Sequence, residues 1–171
     1  ANKYLSEFSK LMRKVLQDSQ KDLISLEDEL EMTSIYLNLE HKRFPDKFDY
    51  EIDIDSDLDL KEVYIPPMMI QPFIENAVWH GMRYKESKGK VSLTVKQSIT
   101  GVIVTLTDDG VGRAKSKALK TTNQQSYQST GLKNVSSRLD LVNEIYGKSF
   151  DIAIRDLNSN LEDTGTQVTI N

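Results

Sequence analysis

The spacing of hydrophobic residues predicts two helices at the start of the chain. In residues 1–17 the apolar positions fall three or four residues apart, with charged side chains between them: Leu5, Phe8, Met12 and Val15. This pattern is typical of a helix with a narrow apolar seam, and two heptads leave open whether the seam packs on the same chain or on a second copy. The second helix is predicted from Ser25, at the head of a sequence resembling a capping box, to about Arg43, before Pro45.

From Lys47 the hydrophobic period changes to that of a strand. Residues 48–55 alternate between apolar and acidic side chains, which predicts a half-buried strand. Two strands are predicted over residues 90–97 and 102–107, joined as a hairpin, and the second is apolar enough to be central in a sheet. Two further strands are predicted near the end of the chain, over residues 150–155 and 165–170.

The stretch Gln71 to Gly81, with the sequence QPFIENAVWHG, is predicted to form a helix with two unlike faces. One face is apolar and is expected to lie in the core; it carries Ile70, Phe73, Ile74, Ala77 and Val78. The other face gathers an amide, an indole, an imidazole and a guanidinium, from Asn76, Trp79, His80 and Arg83. A helix of this kind can form the wall of a ligand cavity, although a solvent-exposed face would have the same pattern.

Two glycine-rich stretches follow. The strand over residues 102–107 runs into Asp108-Asp109-Gly110-Val111-Gly112, where the glycines allow the backbone to bend sharply and pass close to a ligand or simply to turn. Arg113 to Thr130 is polar with little periodicity, which predicts a mobile lid or a disordered connection. The second stretch, Gly131-Leu132-Lys133-Asn134, opens a predicted helix, whose free N–H groups form an anion site. The apolar stripe of that helix is Leu132, Val135, Leu139 and Val142.

Composition narrows the class of protein. The chain has 171 residues, enough for one domain of usual size, with a formal net charge of −4 and no cysteine. An acidic balance argues against a broad nucleic-acid surface, and the absence of cysteine excludes a disulfide framework or a thiolate zinc site. The longest apolar runs are far shorter than the ~20 residues that span a bilayer. Since the first residues have the pattern of the middle of a helix, we expect a piece of a longer chain.

The order of these features resembles the Bergerat-type ATP-binding fold of type II topoisomerases, mismatch-repair ATPases and sensor histidine kinases. Further blocks make nearly the whole chain similar to the LytS-type sensor histidine kinases: Tyr4-Leu5-x-x-Phe8-Ser9, Leu26-Glu27-x-Glu29-Leu30, Tyr36-Leu37, Arg43-Phe44 and Ile65-Pro66-Pro67-Met68. The resemblance implies an α+β fold, a two-layer α/β sandwich whose mixed sheet packs on helices, with an N-terminal helical segment. It divides the chain into residues 1–24, a remnant of the dimerisation and phosphoacceptor region, and 25–171, the ATP-binding catalytic domain.

The resemblance also implies a site for ATP and Mg2+ on the QPFIENAVWHG helix. Asn76 aligns with the magnesium ligand, and an amide oxygen suits a hard cation that takes its other ligands from water and phosphates. Glu75 is expected to orient the metal's water or to act as a base, with a plain surface carboxylate as the alternative. His80 is expected beside the nucleotide. Trp79 stands where relatives often have a phosphate-contacting lysine, and the candidates to replace that charge are Arg83, Lys115, Lys117 and Lys120.

On the sheet side of the implied site, Asp108 aligns with the carboxylate that accepts a hydrogen bond from the adenine amino group. A buried acceptor there favours adenine over guanine, which presents an acceptor at the same position. Thr166 resembles the threonine that joins Asp108 around the adenine through water. The backbone positions implied to approach the base, the ribose and the phosphates are Gly110, Gly112, Gly131 and Leu132.

The implied function is that of the catalytic part of a two-component sensor histidine kinase, which transfers the γ-phosphoryl group of Mg-ATP to a histidine. The two histidines present, His41 and His80, stand in contexts unlike a phosphoacceptor stretch, so the chain alone is predicted not to phosphorylate itself. The implied partners are an upstream phosphoacceptor helix, a response regulator and a second copy in the full-length protein, with no nucleic acid and no membrane contact. The expected location is cytoplasmic, compatible with anchoring of the full-length protein in the inner membrane.

Two other functions of the same fold stay open at this stage. In the ATP hydrolases a glutamate one helical turn before the magnesium asparagine activates water. That position is Pro72 here, which cannot act as a base and disfavours hydrolysis. A nucleotide-binding regulatory module would share the pocket.

Overall fold

The computed structural model describes residues 2–119, 135–147, 150–157 and 164–171 of the chain. The helices are α1 Asn2–Asp18, α2 Leu26–Arg43, α3 Gln71–Asn76, a π-helical turn Ala77–Met82, α4 Gly112–Leu119 and α5 over residues 135–146. The strands are β1 Ile24–Ser25, β2 Phe48–Ile54, β3 Tyr64–Ile65, β4 Gly89–Ser98, β5 Gly101–Asp108, β6 Ile152–Asp156 and β7 Thr166–Ile170.

Five of the strands form one mixed sheet in the order β2-β4-β5-β7-β6. The pair β2–β4 is parallel, whereas β4–β5, β5–β7 and β6–β7 are antiparallel. The predicted hairpin and the central position of β5 are therefore confirmed. In this register Asp108, the last residue of β5, is paired with Val91 on one side and Thr166 on the other. The sheet thus brings Asp108 and Thr166 to the same end.

Helices α2, α3 and α5 cover the sheet and share one hydrophobic core with it. The face of α2 that lies in the core carries Leu26, Leu30, Thr33 and Leu37, all buried, with Leu26 and Leu37 at 0% exposure. Val135, Leu139 and Val142 of α5 are buried as the apolar stripe predicted. A mixed sheet packed on helices, preceded by an N-terminal helix, is the fold class expected from the sequence.

The N-terminal helix α1 packs on α2 through Leu11, which belongs to a second small core with Ile24, Met32 and Leu39. Two ion pairs join the same helices, from Lys14 to Asp28 and Glu31. The predicted seam does not make this contact, except for Val15 at its edge. Its other members are exposed: Leu5, Phe8 and Met12.

Helix α2 begins where the capping box predicts. The Ser25 hydroxyl accepts a hydrogen bond from the Asp28 backbone N–H at 3.1 Å and donates to the Asp28 carboxylate at 2.9 Å. Such an N-cap contributes about 1 kcal/mol. The cap fixes where α2 begins and therefore where along the helix the Glu29 side chain lies in the core.

Glu29, fully buried, connects α2 to the start of α3. Its carboxylate accepts hydrogen bonds from the backbone N–H groups of Met68 at 3.0 Å and Ile70 at 2.8 Å. Burial raises the pKa of the Glu29 carboxyl, and these backbone hydrogen bonds oppose the rise. Met68 has a φ of +61°, a strained conformation for a residue with a side chain. The Glu29 contacts hold this loop and thereby set where α3 begins.

The structure corrects two predictions. The helix predicted over the QPFIENAVWHG stretch is α-helical only to Asn76 and then widens into the π-helical turn, in which the Arg83 N–H bonds to the Val78 carbonyl at 3.2 Å. The first part of the predicted lid, from Arg113, lies in the helix α4, Gly112–Leu119. It consists mostly of good helix formers, Arg, Ala, Lys and Leu, so propensity forms a helix where apolar periodicity gave no signal. Residues 120–130 lie outside the described part.

Candidate functional site

Asp108 lies at the end of the central strand β5 and is 6% exposed. Its Oδ1 atom accepts a hydrogen bond from the Gly110 backbone N–H at 2.9 Å. Burial raises the pKa of the Asp108 carboxyl to about 7; the Gly110 hydrogen bond opposes this rise. A buried carboxyl with a single described hydrogen bond keeps acceptor capacity for another donor.

The backbone beside Asp108 comes close to two other segments because glycines leave room for it. A Cβ on Gly110 would lie 2.5 Å from the Cα atom of Gly81, and a Cβ on Gly81 would lie 2.9 Å from the Asp108 Oδ1 atom. The Val111 N–H donates to the Gly81 carbonyl at 3.3 Å, and the Gly165 N–H donates to the Gly110 carbonyl at 2.9 Å. The π-helical turn, the end of β5 and the start of β7 therefore meet around one carboxyl.

Gly81 lies beside Asp108 but is not among the site residues that the sequence predicts. A glycine at the end of a predicted helix ordinarily indicates a helix terminus. Gly81 is instead the next-to-last residue of the π-helical turn, where a side chain would reach the Asp108 carboxylate. Gly112, a predicted site residue, has a φ of +77° and faces the Thr164 side chain.

The predicted metal and catalytic side chains lie at the junction of α3 and the π-helical turn. Asn76 is the last residue of α3, and His80 lies within the turn; both are half-buried. The Glu75 side chain is exposed and accepts a hydrogen bond from the Gln71 amide at 3.3 Å. Partial burial of the Glu75 carboxyl group raises its pKa, and the Gln71 hydrogen bond opposes this rise. The described residues contain no group of three or more His, Cys, Asp or Glu that could hold a metal ion.

Trp79 is part of an aromatic and cationic cluster. Its ring meets the Phe44 ring edge to face, with centroids 6.2 Å apart. The guanidinium carbons of Arg43 and Arg83 each lie 5.3 Å from the Trp79 ring centroid. Each such cation–π contact at an exposed site is worth about 0.5–1 kcal/mol. Two guanidinium groups therefore flank the indole at the position where the resemblance leads us to expect a lysine. Arg43 is not among the candidates for that charge that the sequence predicts.

A cavity of about 250 Å³ lies beside this cluster. Its lining is mostly apolar and consists of Phe44, Lys47, Phe48, Val78, Trp79, Met82 and Arg83. Neither Asp108 nor Asn76 belongs to the lining, so this cavity is distinct from the predicted adenine position.

Lys85 and Asp109 form an ion pair beside Asp108. The Lys85 ammonium lies 3.0 Å from one Asp109 carboxylate oxygen, and the other oxygen accepts the Lys90 backbone N–H at 2.7 Å. Asp109 thus joins the start of β4 to the end of β5. Of the two adjacent aspartates, only Asp108 is buried.

Of the remaining predicted site residues, Thr166 is half-buried and is paired with Asp108 across β5 and β7. Arg83 is exposed, and Lys115 is in α4. Gly131, Leu132 and Lys120 lie outside the described residues, as does the side chain of Lys117.

The residues present fit a bound adenine nucleotide. Asp108 provides a buried acceptor, and Gly81, Gly110 and Gly165 let backbone segments pack closely beside it, where a Cβ on any of the three would clash. Asn76 provides one amide, in keeping with Mg2+, which usually retains several waters and takes oxygen ligands from phosphates.

Comparisons with known proteins agree with this fold. The histidine kinase domain of the blue-light activated histidine kinase of Erythrobacter litoralis EL346 has a TM-score of 0.56 with this chain at 16% identity, covering 98% of this chain and 73% of that one. The catalytic domain of the histidine kinase ThkA has a TM-score of 0.53 at 16% identity, covering 86% and 93%. The fold is that of a histidine-kinase ATP-binding domain.

The sequence relatives give the family. A family profile described as histidine kinase matches residues 1–48. The sensor protein LytS of Staphylococcus saprophyticus is 33% identical over 144 residues, 82% of this chain and 24% of LytS. The sensor histidine kinase/phosphatase LytS of Staphylococcus aureus is 32% identical over 154 residues, 87% of this chain and 26% of LytS. The chain belongs to the LytS-type sensor histidine kinases, and it spans about a quarter of the length of these relatives.

Proposed function

We propose that this chain is the ATP-binding catalytic part of a two-component sensor histidine kinase that passes the γ-phosphoryl group of Mg-ATP to a histidine outside residues 1–171. Residues 25–171 would form the catalytic unit, and residues 1–24 would continue a dimerisation and phosphoacceptor region. The partners would be that region, a second copy and a response regulator. The carrying observation is the buried Asp108 carboxyl surrounded by glycine backbone.

Each residue has a separate role in this proposal. Asp108 accepts a hydrogen bond from the adenine amino group, with Thr166 beside it on β7. Asn76 holds Mg2+, which when bound neutralises charge on the phosphates. Glu75 orients water on the metal or takes the proton from the attacking imidazole. Arg43 and Arg83, flanking Trp79, provide the positive charge that relatives have from lysine.

The location follows from the same proposal. Within the described residues, no helix has both the length and the apolar character needed to cross a membrane. ATP and response regulators are cytoplasmic, so we place the proposed reaction in the cytoplasm, whatever anchors the full-length protein.

At pH 8, above the pKa of about 7 at which the Asp108 carboxyl ionises, replacing Asp108 with asparagine should weaken ATP binding by about 1–3 kcal/mol, because a hydrogen bond to a charged group is lost or misdirected. GTP should bind poorly to the parent protein, since guanine presents an acceptor to the Asp108 carboxylate. Isothermal titration calorimetry with Mg-ATP and Mg-GTP measures both. Asp109→Asn is the matched control, because Asp109 is exposed and bound to Lys85. Equal affinities for the two nucleotides, or an unaffected Asp108 variant, would remove Asp108 from the site.

The chain of 171 residues should bind Mg-ATP without labelling itself with radioactive γ-phosphate. Of its two histidines, His41 packs against the rings of Phe48 and Tyr50, with centroids 5.8 and 5.6 Å away, and its Nε2 atom lies 3.5 Å from the Asp49 carboxylate. His80 lies on the proposed nucleotide face. Neither is free to approach a γ-phosphate in line at the distance of about 3–3.5 Å that transfer needs.

The full-length protein, or a separate helix carrying the acceptor histidine, should become labelled with an acid-labile phosphate. Stoichiometric label on His41 or His80 would contradict the assignment of the acceptor. Rapid multiple-turnover release of phosphate by the chain alone would instead favour an ATP hydrolase.

A further inference from the structure

Gln71, the first residue of α3, holds the carboxyl group of Glu75. Its Nε2 atom lies 3.3 Å from the Glu75 Oε1 atom, one helical turn further along. A carboxylate only accepts hydrogen bonds, so the amide nitrogen must be the end that faces it. Glu75 is exposed and Gln71 is 3% exposed. An anchored amide thus fixes a side chain that would otherwise move in solvent.

The burial of Gln71 sets this contact apart from an ordinary pair on a helix surface. Its Oε1 atom is buried and has no hydrogen-bond partner among the described residues. An unsatisfied buried amide oxygen disfavours folding, whereas leucine or methionine would fill the same space without that cost. Stability therefore does not explain why an amide side chain occupies this position. The described hydrogen bond of that amide is the one it donates to the Glu75 carboxylate.

Gln71 is itself held in place from α2. Its backbone N–H points to the Glu29 Oε1 atom at 3.4 Å, next to the shorter bond from Ile70 at 2.8 Å. Pro72, which follows, restricts the backbone of the first helical turn. The amide therefore projects from a segment with little freedom.

We propose that Gln71 is a positioning residue, which holds the Glu75 carboxyl beside Asn76 in the orientation that phosphoryl transfer requires. This inference rests on the proposed kinase function. Gln71 makes no contact with ATP in this role, so it should affect the rate of transfer and not the binding of nucleotide.

The test is Gln71→Met in the full-length protein, which keeps the size of the side chain and removes the donor. The autophosphorylation rate at saturating Mg-ATP should fall about 10- to 100-fold, the range expected when a catalytic group is misplaced. The calorimetric Kd for Mg-ATP should change less than about twofold. The double variant Gln71→Met/Glu75→Gln should be no slower than Glu75→Gln alone, because the two residues act through one group.

Two further variants separate positioning from loss of fold. Thr33→Val removes another buried hydrogen bond, from the Thr33 hydroxyl to the Glu29 carbonyl at 2.9 Å, and should lower thermal stability with no change in rate. If Gln71→Met does not fold, Glu75→Asp replaces it in the test. The shorter side chain moves the carboxyl away from the Gln71 amide without disturbing the core, because Glu75 is the exposed partner, and the rate should fall by the same factor. A normal rate in Gln71→Met or in Glu75→Asp, or additive losses in the double variant, would overturn the proposal.

A parent protein that bound Mg-ATP but phosphorylated no histidine would refute the proposed function, and a crystal structure of Gln71→Met would then decide the positioning role alone. A displaced Glu75 carboxyl would support that role. An unmoved one would overturn it.

Discussion

Asp108→Asn should raise the stability of the ligand-free protein at pH 8 by up to about 4 kcal/mol. Burial raises the pKa of the Asp108 carboxyl from 3.8 to about 7. Between these values the folded protein keeps a proton that the unfolded chain releases. The contribution of Asp108 to stability is therefore complete below about pH 4 and is lost as the pH rises to about 7, at about 1.4 kcal/mol per unit. Asparagine has no charge to bury and keeps an oxygen for the Gly110 N–H.

The measurement is urea unfolding of the parent and the variant across this pH range. The gain from the substitution should be small near pH 4, should exceed about 1 kcal/mol by pH 5, and should reach its full size above about pH 7. Asp109→Asn is the comparison, because its carboxylate is exposed and paired with Lys85, so its loss should cost up to about 1 kcal/mol. The Asp109 charge contributes less than burial to the raised pKa of Asp108, so this variant should keep most of the pH dependence. Equal pH dependence in the parent and the Asp108 variant would show that burial does not penalise this carboxylate.

The same substitution is expected to weaken ATP binding, so stability and affinity should move in opposite directions. Substitution of a residue that serves only the fold would lower stability and ATP affinity together. A buried acid whose removal stabilises the protein is typical of a functional position, where binding and stability are in conflict. The pair of measurements therefore tests the adenine role of Asp108 without a structure of the complex.

Local patterns in the sequence predicted most of the fold. The period of α2, its cap at Ser25 and the apolar strand ending at Asp108 each depend on neighbours within a few residues, which the sequence displays directly. The order of strands in the sheet and the contact between Asp108 and Thr166 depend on pairing between distant segments. The resemblance to a known fold, and not the local pattern, predicts that Asp108 and Thr166 lie together.

The elements that sequence analysis missed depend on other kinds of information. Helix α4 follows from helix propensity, where apolar periodicity gives no signal. The π-helical turn cannot be told from an α-helix in the letters of QPFIENAVWHG, because what distinguishes it is a backbone hydrogen bond to the fifth preceding residue, from the Arg83 N–H to the Val78 carbonyl. The stacking of Arg43 on Trp79 joins the end of α2 to that turn, a long-range contact.

Gly110→Ala should destabilise the protein by about 1–3 kcal/mol, the usual cost of forcing extra atoms into a packed interior, and should lower ATP affinity more than about tenfold. The φ of Gly110 is not positive, so alanine could adopt the same backbone conformation. The cost of the substitution therefore comes from the clash of the new Cβ with its neighbours. The new Cβ would lie 2.5 Å from the Cα atom and 2.6 Å from the carbonyl carbon of Gly81. Backbone atoms cannot turn aside as a side chain does, so the π-helical turn must move away from β5.

Urea unfolding and calorimetry with Mg-ATP measure the two effects, with Gly147→Ala and Gly81→Ala for comparison. Gly147 has a φ of +60° and open space for a Cβ, so its substitution reports conformational strain alone, about 1 kcal/mol, without loss of affinity. At Gly81 the new Cβ meets the Asp108 carboxylate at 2.9 Å, a side chain that can shift. Gly81→Ala should therefore cost less stability than Gly110→Ala and still weaken ATP binding, because the carboxylate that moves is the one that reads adenine. Unchanged affinity in both the Gly81 and Gly110 variants would place the nucleotide away from this junction.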